Sequence, residues 1–188
     1  MLKSALHCWI IVAALATGAF GFPKDKNWTD VATELKNTKQ LVSDLVSEIK
    51  ASSPSDNEEG LLRTQYDLAK EKYSVWAEEA ADRVLHGKDI NLKSPKAIEA
   101  HKRFLDLSTF ATKYINTRKQ LDPNAFLLHA STWDAVNAAL KAVSDNWKII
   151  QGAVDWINKR KAAEEKKRHD MAGDILASAQ WPDFATIK

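Results

Sequence analysis

The chain has one cysteine, Cys8, in 188 residues. It lies in the apolar N-terminal stretch, so the rest of the chain can form no internal disulfide and must draw its stability from packing. Enough chain remains for a sizeable core. Glycine (6) and proline (5) are also scarce, and they fall mostly between segments whose apolar residues recur at helical spacing. There is no glycine-rich phosphate loop, no Gly-x-Ser-x-Gly elbow and no paired-cysteine metal spacing. Charge of one sign does not dominate: 27 Lys and Arg stand against 25 Asp and Glu, a net +2. Nothing in that balance calls for a nucleic-acid partner.

The N-terminus does carry a strong pattern. After Met1-Leu2-Lys3 no charged side chain occurs from Ser4 to Phe22, and small residues (Ala16, Gly18, Ala19, Gly21) close the run. This is the plan of a secretory signal peptide, with Ala19-Phe20-Gly21 or Ala14-Leu15-Ala16 before the cleavage point. The alternative is a retained anchor, for which the apolar run is just long enough. The expected organisation is a signal over residues 1–21, a helical bundle over 22–157, and a charged helical extension with an apolar-tipped tail over 158–188. An exported location follows, extracellular or periplasmic.

Four amphipathic helices are expected. In the first, Trp28, Val31, Leu35, Thr38, Val42, Leu45 and Ile49 alternate at three and four residues, behind Asn27 as N-cap. The second opens on Ser55 with Glu58 at capping-box spacing, carries Leu62, Tyr66, Ala69, Tyr73, Trp76 and Ala80, and stops at His86-Gly87. The third begins at Ser94-Pro95 and has two neighbouring stripes. One is Ala97, Ala100, Phe104, Leu107, Ala111 and Tyr114; the other is Ile98, His101, Leu105, Ser108, Thr112 and Ile115, which suggests contact with more than one neighbour. The fourth, with Ser131 and Asp134 at its capping positions, keeps an unbroken stripe through Trp133, Val136, Leu140, Val143, Trp147, Ile150, Val154 and Ile157. The fold class is therefore all-α: an antiparallel, up-down-up-down bundle of about four long helices with inward stripes. The molecule is expected to be a monomer or a helix-paired homodimer, since the first and fourth stripes are regular enough for a coiled coil.

Beyond Ile157, Lys161 and Glu164 interrupt the apolar seam, so the core should end there. The charged stretch then either projects or bends near Gly173 and returns. Trp181 and Phe184 are expected to dock, either on the bundle end near Phe126, Leu127 and Leu128 or on a partner. Trp156, displaced from the main stripe of its helix, is a further partner-binding candidate. Trp28, Trp76, Trp133 and Trp147 belong to the core.

Catalytic groupings are missing. A two-metal carboxylate site in a bundle needs Glu-x-x-His on two helices, and the nearest approximations, Asp82 with His86 and Glu165 with His169, are spaced as surface pairs. His101, beside Phe104 and Leu105, reads as a core or boundary histidine. No catalytic residue, cofactor or metal is assigned. Asn27-Trp28-Thr29 matches a glycosylation acceptor. The expected function is non-enzymatic binding of a protein partner, and the alternative is an exchangeable lipid or membrane-surface binder.

Overall fold

The computed structural model describes residues 27–160 and 165–188. The segment expected to be a signal or anchor, Cys8, Lys161 and Glu164 lie outside them. Six α-helices make up the described chain: α1 (Trp28–Ala51), α2 (Asp56–Leu85), α3 (Pro95–Leu121), α4 (Pro123–Leu128), α5 (Ala130–Arg160) and α6 (Glu165–Ser178). A 3-10 turn, Phe184–Thr186, follows. The fold is all-α, and among the described residues there is no strand. No described helix is long and apolar enough to cross a membrane.

Local chemistry sets most boundaries. Asn27 Oδ1 accepts the Asp30 N–H at 3.0 Å and the Asp30 carboxylate accepts the Asn27 N–H, closing a capping box on α1. Ser55 and Glu58 do the same for α2. The Ser94 hydroxyl caps α3, with Pro95 at the position where a missing N–H costs nothing. α1 ends where Ser53 enters the left-handed region (φ 56°) before Pro54, and α2 ends at Gly87 (φ 65°), which has no Cβ to oppose that conformation. The start of α5 corrects the expectation for Ser131. The Thr132 and Trp133 N–H groups bond back to the His129 carbonyl, so the helix begins at Ala130 and Ser131 lies inside its first turn.

α1, α2, α3 and α5 alternate in direction as expected. Thr38 faces Asn146 and Trp28 faces Trp156, so α1 and α5 are antiparallel; Glu58 faces Arg118 and Tyr73 faces Phe104, so α2 and α3 are too. Asn158 ties the lower end by pairing both its amide atoms with the Ile90 backbone at 2.8 and 2.9 Å. The four-helix plan is nevertheless incomplete. α6 packs along both α1 and α2, which touch each other only weakly, so the order around the bundle is α1, α5, α3, α2, α6. α6 is a fifth stave.

The stripes supply the core. Leu35, Leu45, Ile49, Leu62, Tyr66, Tyr73, Phe104, Leu107 and Ile150 are fully buried, joined by Ile175 from α6. Leu140, in the α5 stripe, is only half-buried. The second stripe of α3 divides: Ile115 is buried, whereas Ile98 and Leu105 face solvent. Trp76, Trp133 and Trp147 are in the core, and Trp28 packs half-buried at its edge.

Candidate binding surface

The connection from α3 to α5 forms one end of the bundle. Asp122 serves both helices there: its N–H ends α3 on the Arg118 carbonyl, and its Oδ1 accepts the Ala125 N–H at 2.9 Å to start α4. Pro123 occupies the first turn of that six-residue helix. Phe126 turns inward and stacks on Trp133 with ring centroids 4.8 Å apart and planes within 12°. A helix this short has no second apolar face to bury. Leu127 and Leu128 therefore point outward, 72% and 83% exposed, and Leu121 at the end of α3 is 74% exposed.

Behind α4 lies an open cleft of about 320 Å³ lined by Ser52, Arg118, Asp122, Phe126, His129 and Trp133, among others. Its wall mixes apolar and polar groups and is braced at Arg118. The Arg118 guanidinium donates to Glu58 Oε2 at 2.6 Å and to the Ser53 carbonyl at 3.3 Å, and lies 5.4 Å from the Tyr114 ring centre. The Tyr114 hydroxyl meets the Ser52 hydroxyl at 2.7 Å. Burial alone would raise the Glu58 carboxyl, but the Ser55 hydroxyl and N–H and the Arg118 charge outweigh it and hold its pKa below the ordinary value. These contacts fix the ends of α1, α2 and α3, so the leucines sit on a rigid base.

Of the residues singled out in the sequence, Phe126, Leu127 and Leu128 come together here. Leu121 was not anticipated: it lies seven residues beyond Tyr114 on the line of the first α3 stripe, but at the end of the helix, where it is exposed. Trp181 and Phe184 dock elsewhere. Both are buried in the seam between α1 and α2, where Trp181 lies 5.8, 5.4 and 5.6 Å from the rings of Tyr66, Tyr73 and Phe104. The tail thus returns to the flank of the bundle rather than to Phe126. Gly173 lies inside α6, so the expected bend there is absent. Trp156 is buried against Trp28 and lies under the Arg160 guanidinium at 4.5 Å. Asn27 is exposed, with its side-chain oxygen committed to the α1 cap.

Metal-ligating groupings are absent among the described residues. Asp82 with His86, at 3.2 Å, and Glu165 with His169, at 3.7 Å, are exposed one-turn pairs. His101 lies flat on Trp147, centroids 4.7 Å apart and planes within 7°, and burial lowers its pKa. Comparison with models of known protein families, with characterised proteins and with solved structures finds no match.

Proposed function

We propose that this chain works by binding another protein through the leucine-lined end of its bundle, without catalysis of its own. The observation that carries this reading is the exposure of Leu121, Leu127 and Leu128, which lie within eight residues on adjoining elements. Burying a leucine fully is worth roughly 1.5–3 kcal/mol, so three together are a substantial driving force for association. The cleft beside them adds Phe126 and Trp133 together with Arg118, Asp122 and His129, a mixture of apolar and polar groups that an interface can use. Export is part of the proposal and rests on the uncharged run from Ser4 to Phe22; N-terminal sequencing of the secreted chain should find it beginning near Phe22.

The experiment is affinity capture with the wild-type chain and with Leu127→Asp/Leu128→Asp, the two matched for thermal stability. A partner recovered by the first and lost by the second supports the reading. Recovery of the same set by both, or of nothing in repeated captures, removes it. A lipid-binding bundle has less support, because its apolar stripes are already buried against one another. Flotation with neutral and anionic vesicles that depends on Leu127 and Leu128 would bring that reading forward instead.

A further inference from the structure

Nine asparagines occur in the chain, and Asn27 alone has a hydroxyl residue two places on, Thr29, with a residue other than proline between them. That spacing is the acceptor pattern for N-linked glycans in exported chains. So short a pattern also arises by chance, and what the fold does with the three side chains decides how far it carries. Asn27 is exposed at the start of α1, and its amide is held by its oxygen: Oδ1 accepts the Asp30 N–H at 3.0 Å. Because Oδ1 points at the helix, Nδ2 points away from it, and among the described residues it has no partner. Thr29 is exposed as well, with its hydroxyl unpartnered among the described residues.

Trp28, the bulky residue between them, is held inward. Its ring lies 5.8 Å from that of Trp156, and its Nε1 donates to Asp174 at 2.8 Å. The indole is thus fixed against the bundle while both of its neighbours stay exposed. Capping and attachment of a sugar do not compete. An N-linked side chain is still an amide, and its carbonyl oxygen keeps the lone pairs that accept from the helix. Oδ1 can therefore go on capping α1 while Nδ2 carries the sugar.

We propose that Asn27 carries an N-linked glycan; the proposal rests on the export reading above. The donor is a lipid-linked oligosaccharide diphosphate. Nδ2 forms a bond to C1 of the reducing-end sugar, the bond from C1 to the phosphate oxygen breaks, the lipid diphosphate leaves with the electron pair, and Nδ2 gives up one proton to a base of the transferase. Thr29 supplies the hydroxyl that the transferase reads. The glycan stands one length of α1, 24 residues or about 36 Å at 1.5 Å per residue, from the cleft that Ala51 and Ser52 line. It covers the Trp28 end with hydrated sugar and leaves Leu121, Leu127 and Leu128 open.

The test expresses the full chain in cultured insect cells and weighs it by mass spectrometry before and after peptide-N-glycosidase. The chain from the medium should be heavier than its polypeptide by a series of sugar masses, and the enzyme should remove the excess and leave aspartate at position 27. Asn27→Asp keeps the capping oxygen and removes the nitrogen, so it should appear at the bare polypeptide mass, as should Thr29→Ala. Thr29→Ser keeps the hydroxyl and should remain glycosylated. A secreted chain with its N-terminal segment removed and no added mass overturns the proposal and leaves export standing. A chain retained in the cytosol with Met1 in place overturns both. Sugar mass that persists in Asn27→Asp lies on another residue and also counts against this site.

Discussion

Asn146 is wholly buried, and its hydrogen-bonding capacity is only half used. Its Oδ1 accepts the Thr38 hydroxyl at 3.1 Å, while its Nδ2 has no partner. Thr38 in turn neighbours the Tyr73 phenol, which meets the Ser178 hydroxyl at 2.9 Å and is pushed up to about 12 by burial. A polar thread thus crosses α5, α1, α2 and α6 inside an apolar core. Thr38→Val should cost about 1–3 kcal/mol, because it strands the Asn146 carbonyl. Adding Asn146→Leu should recover most of that loss, as read by urea denaturation in a double-mutant cycle; additive losses would mean that the two side chains are not coupled. Glu58 offers a pH test at the same scale. Its folded pKa is depressed, so the stability it contributes is present above the unfolded value of about 4.3 and disappears as pH falls through the folded one. Wild type should exceed Glu58→Gln by up to about 1 kcal/mol at pH 7, a partly exposed pair being screened, and the two should converge in acid once pH has fallen through the depressed folded pKa. A gap that persists in acid would place the effect in packing rather than charge.

Among the elements, the C-terminal arm, residues 165–188, is the one least supported by its own sequence. α6 is 14 residues long, and its buried set is small: Met171, Ala172, Ile175 and Ser178. The residues that hold it follow it in the chain. Trp181→Ala should cost about 3–5 kcal/mol, the range for a large buried aromatic, because it empties the pocket made by Tyr66, Tyr73 and Phe104. A melting temperature unchanged by that substitution would mean that the arm is not part of the stable fold. α1, α2, α3 and α5 were legible because each writes its buried face at three- and four-residue spacing, and three of the four have caps that local chemistry spells out. The place of α6 was not legible. It depends on pairings such as Trp28 with Asp174 and Tyr73 with Ser178, which are more than 100 residues apart and leave no periodic trace. The same limit applied at the leucine end: Phe126, Leu127 and Leu128 were visible as a patch, but which of them faces inward was decided by the Trp133 ring.

As a whole, the molecule is a short rod with dissimilar tips. α1 enters at one tip and runs about 36 Å, at 1.5 Å per residue, to the other. Lys188 lies near that second tip, where the Ser47 hydroxyl bonds to its carbonyl. Leu121, Leu127 and Leu128 share this tip, since α3 also ends there. The choice of attachment point therefore changes what a tethered molecule can do. A fluorophore or bead fixed ahead of Asn27 stands nearly the full rod length from the leucines and leaves them open to a visitor. Cargo fused after Lys188 crowds them, so immobilising the same protein by its two ends should give unequal capture, with the C-terminally fixed sample the poorer.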